Sequence, residues 1–400
     1  MAELPREAWI TGIGIVSCLG EGLEAHWAGF AESKRVIDTE TYAPYIVHPL
    51  APIDFDKQIP KKGDQRQMEP WQRIGTYAAG LALDSAGVKG NKELLGRMDM
   101  IVAAGGGERD EAVDSAILTA LPKAERPDIF LNERLMNDLR PTLFLAQLSN
   151  LLAGNVSIVH GVTGSSRTFM GEESAGADAV RIALARIKAG QSEIALVGGS
   201  YNGQRSDVVM LFEFGGYCLK GEFKPVWERA AQPGFAIASL GAFLVVENRA
   251  HAEARGATPI ARLSAVASGY SDRGQPGAIK DELGRLWAKV VGTLGPGAAV
   301  ISGATGVATA TAEERDFLAS HPELPVRATG TLVGHGVEPQ MVMNVALAAL
   351  AVSRGKLFPP NGAFERPMDG PLTQAVVTGV GHWRGEGLGL VEAVGRDAPG

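Results

Sequence analysis

Short, continuously apolar runs that stop at glycines alternate along this chain with segments of helical periodicity. That alternation restricts the chain to a layered α/β fold. Residues 98–104 form one such run, closed by Gly105-Gly106-Gly107, and residues 194–197 form another, closed by Gly198-Gly199. A strand that is apolar on both faces needs cover on both faces, which is the condition of a sheet buried between helical layers. Residues 9–16, 156–160, 241–246, 260–266, 298–302, 374–378 and 389–394 also read as strands. Helical spacing marks 20–30, 73–86, 175–189, 280–293 and 340–353. A helix end at 251–258, with Gly256 as its cap, separates two stretches of similar element order. The expected halves are therefore 1–256 and 257–400, although residue-level similarity between them is weak.

Composition narrows the function classes. A chain of 400 residues exceeds one simple core, and 51 glycines signal many tight turns and close backbone approaches. The net charge of −7 is dispersed, and no basic tract is interleaved with aromatics, so nucleic acid is not an expected partner. Cys18 and Cys218 allow one disulfide at most, and no Cys/His group has zinc-ligand spacing. The N-terminus lacks the basic and apolar segments of a leader, and no run reaches about 18 apolar residues. A cytoplasmic protein without a membrane span is the expectation.

Several segments together carry a resemblance. They are Ile10-Thr11-Gly12-Ile13-Gly14-Ile15-Val16, Gly105-Gly106-Gly107, Leu139-Arg140-Pro141 and Ala153-Gly154-Asn155-Val156-Ser157-Ile158. Gly161-Val162-Thr163-Gly164, Gly176, Lys188-Ala189-Gly190 and Ala195-Leu196-Val197-Gly198-Gly199 lie at matching spacing downstream. Gly234-Phe235-Ala236, Gly334-His335-Gly336 and Phe358-Pro359-Pro360 complete the set. Gly12 and Gly14 alone invite a dinucleotide reading, but the third glycine and the closing acid of that motif are missing. The set resembles the β-ketoacyl-acyl-carrier-protein synthases of the thiolase superfamily along nearly the whole chain. The resemblance implies a thiolase-like five-layered αβαβα fold with two pseudo-duplicated halves. It also implies a dimer formed through the strand before the nucleophile, here Ser166, Arg167, Thr168 and Phe169.

The same resemblance locates the site and shows what has been replaced. Such synthases place a cysteine on the turn into a buried helix, where the helix dipole favours a thiolate. Anchored on Gly176 and Gly198-Gly199, that position falls on Glu173. Glu172 and Glu173 read either as first-turn acids or, for Glu173, as a carboxylate filling the vacated site. Ser174 lacks the glycine elbow of a serine nucleophile. The first family histidine, which binds the thioester carbonyl, falls on Ala304, and the usual pantetheine-binding threonines fall on Gly306 and Ala308. The second histidine is retained as His335, either catalytic or bonded locally, while the family lysine position is Gly330. In the C-terminal loop, Trp383 takes the acyl-gating position, and His382 either points into the site or lies on a surface loop.

The resemblance and the replacements together imply a ketosynthase-like protein of fatty acid or polyketide biosynthesis that is incompetent for condensation by itself. It would act as a chain-length-factor-like partner of an active β-ketoacyl synthase paralogue, or form a homodimer when alone. An alternative is an enzyme acting on acyl- or malonyl-carrier protein, by decarboxylation or atypical condensation, through Glu173 and His335. A second alternative is a non-catalytic homodimer that binds acyl-carrier protein. No cofactor of its own is expected, and phosphopantetheine on an acyl-carrier protein is the possible ligand.

Overall fold

Among the described residues, each half of the chain contributes five strands to the path of the main sheet in one repeating order, and the first half adds three two-residue strands beside them. The computed structural model describes residues 6–292 and 294–395, so the opening residues 1–5 and the expected helix end at 293 lie outside the described residues. The first half contributes β1 (Ala8–Ser17), β2 (Asp99–Ala103), β3 (Ser166–Phe169), β4 (Ile194–Tyr201) and β5 (Leu240–Asn248). Its main helices are α1 (Pro70–Ser85), α2 (Leu151–His160), α3 (Glu172–Lys188) and α4 (Ser206–Phe214). The second half contributes β6 (Ala261–Gly269), β7 (Ala298–Ser302), β8 (Val326–Ala328), β9 (Gln374–Val380) and β10 (Glu386–Glu392). Its main helices are α5 (Ala278–Val290), α6 (Ala308–Leu318) and α7 (Gln340–Ser353).

The strands run in the order β3-β2-β4-β5-β1 in one half and β8-β7-β9-β10-β6 in the other. In both, the first three are parallel and the last two antiparallel. The halves join where Trp9 and Ile10 of β1 pair with Arg262 and Ala261 of β6. Helices α3 and α7 touch strands of both halves, whereas α1 and α2 cover the outside of one and α5 and α6 the outside of the other. This is the expected αβαβα layering. Helix α7 is buried from Gln340 to Val352 because it is covered by sheet on two sides, which explains its almost uniformly apolar sequence. Each of its fully buried Leu and Val side chains contributes about 1.5–3 kcal/mol. No helix among the described residues is long and apolar enough to cross a membrane.

Two expectations fail locally. Residues 156–160 are the end of helix α2, not a strand. Leu152, Ala153, Val156 and His160 are buried at helical spacing while Ile158 is 71% exposed. Gly161, with φ 80°, ends the helix by donating its N–H to Ser157 O. The run 156–159, interrupted by Ser157, is too short to distinguish the two periods. Strand β4 does not stop at Gly198-Gly199 but continues through them to Tyr201. A Cβ on Gly199 would stand 2.1 Å from Ala103 O of the neighbouring strand. That glycine serves close backbone approach within the sheet rather than a turn.

Candidate functional site

The connection from β3 into α3 is a strained turn. Gly171 has φ 124° and Glu172 has φ 55°, so the chain enters the helix through two consecutive left-handed residues and delivers Glu173 into the protein interior. Three non-glycine residues with positive φ occur among the described residues, and two of them, Glu172 and Val337, flank this site. Strain of this kind persists only where the surroundings impose it.

Three elements converge on Glu173. Its Oε1 accepts hydrogen bonds from His335 Nε2 at 2.7 Å, His382 Nδ1 at 2.8 Å and the His382 backbone N–H at 3.0 Å. All three residues are buried. Burial by itself would push the Glu173 carboxyl up, but the charge of His382 and the hydrogen bonds from both imidazoles outweigh it and hold the group well below the usual carboxylate range. His382 feels burial in the depressing direction, yet the Glu173 charge and hydrogen bond raise it above its ordinary value. Glu173 is thus an anion clamped by charge-assisted bonds.

Aromatic rings fix the imidazoles. Phe235 lies 4.7 Å from the His335 ring and 5.5 Å from that of His382, while Tyr217 and Phe212 meet His382 edge-on at 4.8 and 5.3 Å. The loop carrying His382 is tied down by Arg273, whose Nη2 donates to Gly381 O at 3.1 Å and pairs with Glu386 at 2.8 Å. Arg384 pairs with Glu172 across the mouth of the turn at 2.8 Å. Glu338 lies beside this cluster, and burial followed by the charges of Glu173 and Glu172 pushes its carboxyl up to about 7.

Free space beside Glu173 is almost nil, a void of about 10 Å³ lined in part by Gly303, Met341 and Gly379. A separate cleft of about 580 Å³ reaches His382 and Glu338 and is walled by Phe212, Tyr217 and Trp383. Trp383 is half exposed on its rim.

The structure brings Glu173, His335 and His382 into direct contact; His382 is not a surface residue. Ala304 is buried in an apolar cluster with Val226 and Trp227, and its neighbour Gly303 lines the void. Ser174 donates to Gly171 O at 2.6 Å. Both cysteines are buried and unpaired, and burial pushes each thiol up to about 12, away from reactivity. Sequence reasoning missed Glu338, Arg273 and the aromatic cage. Val337 and Glu338 come directly after Gly334-His335-Gly336, and that adjacency was the available signal for Glu338.

Strand β3, with Ser166, Arg167, Thr168 and Phe169, pairs only with β2 and leaves its other edge free among the described residues. Ser166 and Arg167 are exposed, Thr168 and Phe169 half-buried. Ile158 and Met170, near the ends of this strand and its preceding helix, are 71% and 64% exposed.

Comparison with known proteins agrees with this architecture. A family model described as the β-ketoacyl synthase N-terminal domain matches residues 6–252. The 3-oxoacyl-[acyl-carrier-protein] synthase 2 of Vibrio harveyi is 24% identical over 310 residues, covering 72% of this chain and 71% of that protein. The solved ishigamide ketosynthase/chain length factor superimposes with a TM-score of 0.78 at 19% identity, covering 98% of this chain and 100% of that one. A type II polyketide ketosynthase solved in complex with its acyl-carrier protein gives a TM-score of 0.72 at 18% identity, with the same coverage.

Proposed function

The chain belongs to the β-ketoacyl synthase family, and from that premise we propose that it is a condensation-incompetent member of fatty acid or polyketide biosynthesis, acting as the partner of an active synthase. The observation that carries this reading is the state of Glu173. At the position where the family resemblance puts the thiol nucleophile stands a buried carboxylate, clamped by His335 and His382, with about 10 Å³ free beside it. A carboxylate held in this way cannot form the thioester on which condensation depends. Ala304 replaces the histidine that would polarise the thioester carbonyl, and Gly306 and Ala308 offer no hydroxyl to pantetheine. The groups that act as a unit are removed together, so no single survivor restores the reaction.

Association supports the same reading. The free edge of β3 and the exposed Ile158 and Met170 form a face that a lone subunit would leave open to aggregation. We assign this face to a dimer contact, with an active ketosynthase paralogue when one is present and with a second copy otherwise. The acyl-carrier protein is then a partner of the pair, through its phosphopantetheine arm.

The test is turnover by the isolated chain of acyl-carrier protein together with malonyl-carrier protein. Neither ketoacyl product nor carbon dioxide above the enzyme-free rate is expected. Sustained release of either overturns the reading.

A further inference from the structure

Two imidazole nitrogens and one carboxylate oxygen meet at the buried end of the β3–α3 turn. One ligand atom from each of Glu173, His335 and His382 lies within 4.8 Å of the other two, and Glu173 Oε1 touches His335 Nε2 and His382 Nδ1 directly. Resting on the reading that this position no longer holds a nucleophile, we propose that Glu173, His335 and His382 form a binding site for one divalent first-row transition-metal ion, with Zn²⁺ as the probe.

The donor set suits such an ion. Imidazole prefers zinc, iron and their neighbours over magnesium or calcium, and two histidines with one carboxylate leave further coordination positions open. The spacing needs a modest rearrangement. Ligands about 2.1 Å from a metal stand roughly 3.0–3.4 Å apart, against the observed 2.7 and 2.8 Å from Oε1 to the two nitrogens. Opening the two oxygen–nitrogen contacts by a few tenths of an ångström, and drawing together the two imidazole nitrogens, which lie within 4.8 Å of each other, replaces two hydrogen bonds with coordination.

A second observation is independent of the cluster's own hydrogen bonds. Glu173 Oε2 is buried and has no hydrogen-bond partner, and neither has Oε2 of the adjacent Glu338; both residues are 6% exposed. Buried carboxylate oxygens left unsatisfied are costly. A divalent cation answers the first, by taking the second Glu173 oxygen, and it offsets the negative charge that Glu173 holds beside Glu338.

The ligands are also held in place before any ion arrives. Glu173 is fixed by the strained helix entry and His335 by its backbone N–H to Ala236 O at 2.9 Å. His382 is fixed by the loop that Arg273 secures. Access exists from one side, because His382 and Glu338 line the cleft of about 580 Å³. An exchangeable ligand on the metal would face that cleft.

The experiment uses the full chain stripped with chelator. Zinc uptake is followed by titration calorimetry, and bound metal is counted by elemental analysis after gel filtration. One zinc per chain is expected, with binding weakened by about 100-fold or more in Glu173→Gln and in His382→Asn. Glu173→Gln preserves side-chain shape, and circular dichroism with elution volume verifies its fold; should either variant misfold, the wild-type stoichiometry and the visible spectrum of its Co²⁺ complex decide. Wild-type protein that takes up less than about a tenth of an equivalent overturns the proposal, as does unchanged affinity in folded Glu173→Gln. Turnover of carrier-bound substrates is scored separately. Product formation with stoichiometric zinc removes the reading of incompetence and keeps the site, whereas no product and no zinc does the reverse.

Discussion

Replacing Glu173 by alanine distinguishes a structural clamp from a strained catalytic group. The substitution removes an acceptor that takes hydrogen bonds from His335 Nε2, His382 Nδ1 and the His382 backbone N–H. Breaking a buried pair by deleting one partner costs about 3–5 kcal/mol. Relief of Glu338, which the Glu173 charge helps push up to about 7, returns part of that. The net loss is then about 3 kcal/mol. With an unfolding entropy of about 2.1 cal/mol/K per residue over 400 residues, the midpoint falls by roughly 4 °C. Differential scanning fluorimetry in chelator, at fixed protein concentration, reads this shift, and Glu173→Gln should lose about half as much because it keeps an acceptor oxygen. An unchanged or higher midpoint for Glu173→Ala would refute the clamp, since removing a strained functional group commonly stabilises a protein.

Other parts of the molecule carry three more expected outcomes. Glu173→Cys should not condense acyl- with malonyl-carrier protein, because Ala304 leaves the carbonyl-binding pair incomplete; robust product in a mass-spectrometric assay would place the lost histidine elsewhere. Ile158→Asp combined with Met170→Asp should convert a dimer into a species near 42.0 kDa by light scattering, and an unchanged dimer would move the interface away from β3. His26 is buried, donates Nδ1–H to Gly22 O at 2.8 Å and bonds Ser17 at 2.8 Å, and burial lowers it from 6.5 to about 4. The unfolded chain therefore binds more protons below about pH 6.5, so the stability due to neutral His26 is complete above that and is lost as pH falls towards 4. The loss at pH 5 is about 2 kcal/mol, and urea unfolding of His26→Gln should show a correspondingly smaller drop between pH 7.5 and 5; an identical drop contradicts the assignment.

The sheet and its layers were legible because buried strands and two-sided helices write themselves as apolar runs and glycines, as in residues 298–302 and 340–353. Helix α2 was not, because Val156, Ile158 and Val159 form too short a cluster to display its period; only Leu152, Ala153, Val156 and His160 together reveal the buried face. That Glu173 sits at the entry of a buried helix was readable from its spacing to Gly176. Its environment was not. His335 lies 162 residues away and His382 lies 209 away, so their meeting is a property of the packed halves rather than of any local pattern. Arg273 was invisible for the same reason, since its partners are backbone carbonyls of a loop more than 100 residues downstream. Glu338 was closer to hand, yet nothing in its sequence neighbourhood states that it is buried beside another carboxylate.

A nucleophile position filled by a clamped carboxylate should carry no acyl group, and intact-mass spectrometry of the chain after incubation with acyl-loaded carrier protein reads this. The unmodified mass is expected in the presence and absence of a co-expressed ketosynthase, with any acyl adduct residing on that partner. An acyl adduct on this chain, mapped by peptide analysis to the α3 turn, would contradict it.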